Sequence, residues 1–322
     1  MCVFFGILLA LLMLRDENVG VDIKTYLYRF NQVRKMSFEG IFDFFESERG
    51  FWILNKIISL FTKDEQAYLA IMALITTLPI AILYIKESEN AVLSMSIFLI
   101  LSNFSMLFSG LRQATALAVV AIAFYFVKKK KPIWFILFVL LAFTFHKSAL
   151  IALLLYPFYH MNITKNKIFA FIPAIILVLI FNKPIFEFLL QFMGDYGEIY
   201  EYEETGAYTM IILFALFLTF AYFVPDENKM DRETMGLRNI SVLVLMLQIF
   251  ALANPVAMRM NYYFMMFIPL MMPKVINRCA ERNRSIIQYI GIGISVFFLI
   301  YYIYGINTGA DILEIYPYKP YW

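Results

Sequence analysis

SGLRQATALAVVAIAFYFVKKKK, residues 109–131, decides what kind of protein this is. From Leu111 to Val127 its single charge is Arg112, and the run then stops at Lys128–Lys131. A bilayer core about 30 Å thick takes about 20 apolar residues per helix, fewer where the membrane thins. The stretch therefore reads as a membrane span, with Ser109 as its expected N-cap. The lysine run serves as stop-transfer signal and headgroup anchor.

Outward from this span the same pattern recurs. Apolar runs between charges cover 1–14, 67–85, 91–108, 111–127, 132–145, 147–159, 168–182, 207–224, 239–253, 257–273 and 285–304. The expectation is an all-α polytopic membrane protein with about 11 transmembrane helices, a single membrane domain over 1–322. The first run is short, as if its start were trimmed. It lacks the basic start and small-residue cleavage site of a signal peptide, so it reads as a first span. Of the 322 residues 62% are hydrophobic and 16% charged, against roughly 25% charged in soluble domains, and mean hydropathy is +0.73. A soluble enzyme, a nucleic-acid binder and a disordered scaffold are thereby excluded. Cys2 and Cys279 match no ligand or disulfide spacing, and the two histidines exclude a His-rich metal centre.

Sidedness follows from Lys and Arg in short loops. With the N-terminus inside, Lys86, Lys128–Lys131, Lys165, Lys167, Lys229, Arg232, Arg238, Lys274, Arg278, Arg282 and Arg284 all fall on the inner side. Reading 132–159 as one helix would turn the basic stretch 274–284 outward, so the chain is expected to break at His146-Lys147. Two outer segments, 15–66 and 183–206, are then long enough to build a site. Within the first, Phe51, Leu54, Ile58 and Phe61 share a helical face opposite Asn55, Lys56 and Ser59, which predicts a helix lying in the interface. The aromatic tail 316–322 reads as an interface anchor.

Three cations stand where the positive-inside bias and the helix dipole both disfavour them. Arg112 opens one span and Lys147, after His146, opens another. Arg259 follows Asn254-Pro255 by one turn in a third. Each of these helices starts outside, and a cation at a helix N-terminus costs from a few tenths to about 1 kcal/mol. Any one of them is served by an ion pair to a loop carboxylate. Three on the same side point to a shared anion, because helix N-termini bind phosphate and Arg adds a bidentate fork. A lipid-linked pyrophosphate fits. Its headgroup sits at the outer interface, and its departure develops charge that preorganised cations stabilise by about 3–4 kcal/mol each. With Arg and Lys as countercharge, no metal or other cofactor is required. A proton acceptor for an attacking sugar hydroxyl would come from Asp22, Glu46, Glu48 or a histidine. Asp22 shares a helical face with Tyr26 and Arg29 and has an ion pair to Arg29 as its plainer role.

In these residues the chain resembles the EpsG family of bacterial exopolysaccharide and capsule polymerases, relatives of the Wzy-type polymerases. The resemblance runs in order through Arg15, Val19-Gly20-Val21-Asp22 and Tyr26, then Gly110-Leu111-Arg112-Gln113. His146-Lys147-Ser148-Ala149 and Arg259 with Tyr262-Tyr263 complete it. Family members often carry Thr where this chain has Val21. The resemblance implies a glycosyltransferase of the C-type (GT-C) membrane architecture at the outer face of the bacterial cytoplasmic membrane. It would transfer a growing glycan from undecaprenyl pyrophosphate to a hydroxyl of the next lipid-linked repeat unit. Arg112, Gln113 and Arg259 would hold pyrophosphate with Lys147 and Arg15, and Asp22, Glu48 and His146 would be the catalytic candidates. The partners implied are undecaprenyl-pyrophosphate-linked oligosaccharides, with chain-length regulators and flippases of the same pathway, and no nucleic acid. A lipid-linked glycan flippase or an O-antigen-ligase-like transferase is the competing class. Transporters place ionisable residues near the bilayer midplane, whereas here the middles of the predicted spans carry none.

Overall fold

The computed structural model describes residues 1–101, 103–190, 205–254, 257–307 and 313–322. Among them every regular element is helical, apart from one isolated bridge between Arg15 and Pro320. A chain in lipid must satisfy its backbone internally, and helices do this within one segment. Two compact units form: Met1–Glu87, Met95–Leu150 and Gly293–Trp322 make the first, Ser88–Ser94 and Ile151–Ile292 the second.

The first unit contains α1 (Cys2–Met13), α2 (Ile23–Lys35), α3 (Phe38–Phe44), α4 (Arg49–Phe61) and α5 (Glu65–Glu87). After α6 (Ala91–Ile100), in which one unit boundary falls, come α7 (Ser105–Ser109), α8 (Leu111–Lys128) and α9 (Pro132–Phe145). α5 packs on α1 and α8, α8 on α9, and the loop helices α2 and α4 pack on each other. Ile23, Leu27, Phe30, Phe51, Tyr68 and Met72 form the core beneath that loop, with Phe30 stacked on Tyr68 at 4.2 Å.

α4 turns a different face inward from the one its apolar periodicity predicts. Phe51, Asn55, Ile58 and Ser59 are buried, while Ile57, Leu60 and Phe61 are exposed. The polar side chains tolerate burial because they bond within the helix: Asn55 Nδ2 donates to the Phe51 carbonyl and Ser59 Oγ to that of Lys56, both at 2.7 Å.

The second unit contains α10 (Leu155–His160), α11 (Ile172–Ile180), α12 (Asn182–Leu190) and α13 (Thr205–Phe223). They are followed by α14 (Arg232–Ile249), α15 (Met258–Met265), α16 (Ile268–Asn277) and α17 (Glu281–Asn307), which holds the other unit boundary. α14 is central and packs against α10, α11, α13, α15 and α16. Asp231 caps it, accepting from the Thr234 amide at 2.8 Å. Arg238 lies inside α14 rather than in an inner loop. It is fully buried, donates to both Glu227 oxygens at 2.8 and 3.0 Å, and stands 4.3 Å over the Tyr222 ring. At the start of α14, Lys274 pairs with Glu233 and Arg278 with Glu89 and Asp231.

Eleven crossings are not what the helices support. Among the described residues four are long and apolar enough to span: Glu65–Glu87, Leu111–Lys128, Arg232–Leu252 and Asn283–Ile300. The pair Lys167–Ile180 and Asn182–Phe188, bent by 81°, makes at most a fifth. Cys2–Met13, Ala91–Ile100, Pro132–Phe145 and Tyr208–Phe223 are shorter apolar helices. The C-type architecture gains nothing from this count. Hydropathy reports composition, whereas a span also needs a continuous backbone, and several runs are interrupted. The run 147–159 divides into a 3₁₀ stretch, Lys147–Leu154, and α10. The run 257–273 divides between α15 and α16, where Pro269, lacking an N–H, sits in the first turn of α16. Pro255 and most of the outer segment 183–206 lie outside the described residues.

Candidate functional site

The break at His146 is the feature that builds the site. His146 ends α9 with extended dihedrals, φ −154° and ψ 124°, so the chain turns off the helix axis there. α4 approaches this corner closely because residue 50 is glycine. A Cβ on Gly50 would lie 2.2 Å from Thr144 Oγ1 and 3.0 Å from the Thr144 carbonyl oxygen. That contact sets Glu48, the residue before α4, directly on the His146 turn.

Glu48 adopts the left-handed region at φ 55°, which for a side chain with a Cβ costs about 1–2 kcal/mol. The conformation is held by three donors on its carboxylate. Arg112 Nη1 bonds Oε2 at 2.5 Å, while His146 Nδ1 and the Lys147 amide reach Oε1 at 2.7 and 2.9 Å. Burial alone would raise the Glu48 carboxyl. The His146 hydrogen bond and charge, then Arg112 and the Lys147 amide, outweigh it and hold the group at about 2. A carboxylate so firmly ionised accepts, so His146 Nδ1 is the donor in this pair.

The members differ in exposure. Glu48 and His146 are buried, whereas the Arg112 side chain is 35% exposed and Lys147 is half-buried. Arg112 Nε also reaches the Tyr26 hydroxyl at 3.4 Å. Burial raises the Tyr26 phenol; Arg112 opposes that and Asp22, the residue before α2, adds to it, so both charges bear on the ring. The arrangement is a buried acid–imidazole brace with two cations on its accessible side.

Of the residues predicted from sequence, Arg112, Lys147, Glu48 and His146 are gathered here, with Asp22 beside Tyr26. Gln113 is buried in α8. Gly110, not Ser109, caps α8; Ser109 ends α7 and is buried. Arg259 lies on α15 of the second unit. Arg15 is fully buried rather than facing a headgroup. It donates to the Phe108 carbonyl, stands 5.7 Å over the Phe108 ring, and burial pushes it down to about 10. Its Nε and Nη2 have no hydrogen-bond partner among the described residues.

The Val19-Gly20-Val21 signature has a steric cause. Gly20 adopts φ +104°, and a Cβ there would lie 2.2 Å from the Phe108 carbonyl oxygen, the same oxygen that Arg15 holds. The tail locks this loop. Asp16, Gly20 and Val21 amides donate to Lys319, Glu314 and Leu313 carbonyls at 2.8–3.0 Å, and the Tyr321 amide to Leu14 at 3.0 Å. Tyr318 Oη donates to the Leu11 carbonyl at 3.0 Å. Beyond any anchoring in the interface, the tail is a strap across the first loop, and nothing in its composition announces those pairings.

Beside the brace opens a cavity of about 460 Å³, lined by Phe42, Glu46, Ser47, Phe143, Thr144 and Lys147 among others. A larger one, about 530 Å³, lies at the far end of α5 and α8 among Lys86, Glu87, Lys128 and Lys129. There Lys128 pairs with Glu87 at 2.6 Å. The smaller cavity adjoins the buried Glu48 and the half-buried Lys147, which makes it the candidate site.

No curated relative and no solved structure matches the chain. The EpsG family model does, over residues 1–320 of 322. The ordered motifs that the tail strap, the Gly20 turn and the Glu48 brace now explain physically run through that same length, and the chain belongs to the EpsG family.

Proposed function

We propose that this chain is a polysaccharide repeat-unit polymerase of the bacterial cytoplasmic membrane, acting on its outer face. It transfers a growing glycan from undecaprenyl pyrophosphate to a hydroxyl of the next lipid-linked unit. Family membership supports a polysaccharide-polymerase type of role. The observation that carries the specific reading is the Glu48 carboxylate, which orients Arg112 and the Lys147 backbone while leaving the Arg112 guanidinium a third exposed. Preorganised cations of this kind favour an anion that gains charge as it departs. Arg112 and Lys147 hold the diphosphate and supply its countercharge without a metal. Gln113 lies buried at the start of α8 behind Arg112.

Glu48 and His146 are positioning residues in this reading. A carboxylate held at about 2 and satisfied by three donors is a poor proton acceptor at neutral pH. Arg15 keeps the Phe108 carbonyl in place beneath the α8 start, and Asp22 balances Arg112 across Tyr26. The length of α8 supports this sidedness: at 1.5 Å per residue, Arg112 and the Lys128 anchor are about 24 Å apart along the helix. With the lysines inside, Arg112 faces out.

Replacing Arg112 by Ala is expected to abolish polymer while protein level is kept. Mass spectrometry of lipid-linked glycans, with an impermeant probe for sidedness, reads the result. Single units on the outer face mean a polymerase. Units trapped inside mean a flippase, and lipid-held full-length polymer means a ligase; normal polymer from the Arg112 variant sinks the assignment.

A further inference from the structure

The cavity beside the brace carries more than the diphosphate reading uses. Phe42, in the last turn of α3, has 46% of its surface exposed, and the Arg49 guanidinium stands 5.6 Å over its ring. Arg49 is itself pinned, its Nε donating to the Phe45 carbonyl at 2.8 Å. The ring is therefore held firmly on a short helix that Ser37 caps, accepting from the Gly40 amide at 3.0 Å. Glu46 lines the same space, and among the described residues its carboxylate makes no ion pair or hydrogen bond. The Lys147 ammonium makes none either and lines the cavity as well. Glu48, two residues on, is consumed by its three donors. So the cavity offers an exposed aromatic face, one uncommitted carboxylate and one uncommitted ammonium, in a volume within the roughly 300–1,000 Å³ usual for small-molecule sites.

We infer that this cavity seats the acceptor sugar, with its apolar face on Phe42 and its reacting hydroxyl on Glu46. An aromatic ring covers the C–H face of a sugar, while a carboxylate accepts from its hydroxyls. Glu46 takes the hydroxyl proton as the acceptor oxygen bonds to the anomeric carbon of the donor sugar. The bond from that carbon to the diphosphate oxygen breaks, its electron pair leaving with the lipid diphosphate against Arg112 and Lys147. Glu46 is exposed, so it returns the proton to water. The inference rests on the polymerase reading above, and assigns the proton to Glu46 rather than Asp22.

The test uses the full chain in proteoliposomes. Single lipid-linked units, extracted from cells lacking the chain, are varied against a fixed amount of lipid-linked oligomer. Glu46→Gln is expected to lower kcat about 100-fold and to remove the acid limb of its pH profile. Asp22→Asn keeps that limb. Phe42→Ala raises KM for the single unit about tenfold with kcat largely kept, and Phe42→Trp restores it. An unchanged kcat and pH profile in Glu46→Gln, or an unchanged KM in Phe42→Ala, overturns the inference. If Arg112→Ala is inactive in the same assay, the polymerase reading survives that failure. If Arg112→Ala is also active, the reading falls with it.

Discussion

Replacing Glu48 by Gln keeps the shape of the side chain and removes the charge that three donors share. The carboxyl falls from its ordinary 4.5 to about 2 in the folded chain. At about 1.36 kcal/mol for each tenfold change in proton affinity, the ionised form contributes about 3 kcal/mol to stability at neutral pH. Breaking a buried pair by removing one partner costs a similar amount, about 3–5 kcal/mol. The amide also turns an N–H toward a donor. The sign is set by the depressed value: as pH falls below 4.5 the unfolded chain takes up the proton first. The stabilisation is therefore complete above 4.5 and fades toward 2. Reversible unfolding in mixed micelles, followed by intrinsic fluorescence between pH 7 and 2, measures both forms. Glu48→Gln should be less stable by about 3 kcal/mol at pH 7, and the two proteins should converge near pH 2. Other acids titrate in both proteins and cancel in the difference. A gap under about 1 kcal/mol at pH 7, or one that persists unchanged to pH 2, would refute the assignment of Glu48 as a buried ionised brace.

Gly50→Ala drives a Cβ into Thr144 Oγ1 and should cost about 1–3 kcal/mol; polymer yield, measured with thermal stability, should drop because α4 can no longer bring Glu48 to His146. Thr144→Gly added to it should recover part of both, the carbonyl at 3.0 Å remaining. Gly20→Ala meets both a positive φ and the Phe108 carbonyl, so lower protein yield and lower stability than Gly6→Ala are expected; Gly6 has open space around it. Deleting residues 316–322 removes the Lys319 and Tyr321 pairings and the Tyr318 hydrogen bond. At about 1 kcal/mol each, less the entropy of ordering the strap, it should cost about 2 kcal/mol, with faster hydrogen exchange at Asp16. Polymer formation by Glu48→Gln should fall less steeply than by Arg112→Ala if Glu48 positions the cation and does not touch substrate.

Much of the site was legible because its chemistry is written in local oddities. Arg112 and Lys147 were conspicuous for their place at span starts, and His146-Lys147 for interrupting an apolar run. In the sequence Glu48 is one carboxylate among several, since nothing near it in the chain marks a left-handed residue gripped by three donors. Glu46 and Glu48 are alike in composition and context, yet one is spent on the brace and the other lines a cavity uncommitted. Arg15 stood out as a cation after the first span, but its burial under the tail strap could not be anticipated from either segment alone. α4 shows the same limit within one helix. Its period predicted which residues share a face, and the packing of α2 and α9 chose which face went inside.

Composition and apolar runs by themselves determine that this is a helical membrane protein, because hydration and helix period act along the chain. The number of continuous spans, the partners of Glu48 and the strap over Arg15 belong to the tertiary structure. Glu48 meets His146 across 98 residues and Tyr318 meets Leu11 across 307. Contacts at such separations are set by how helices pack and where their backbones break, and that information is not carried in any one segment.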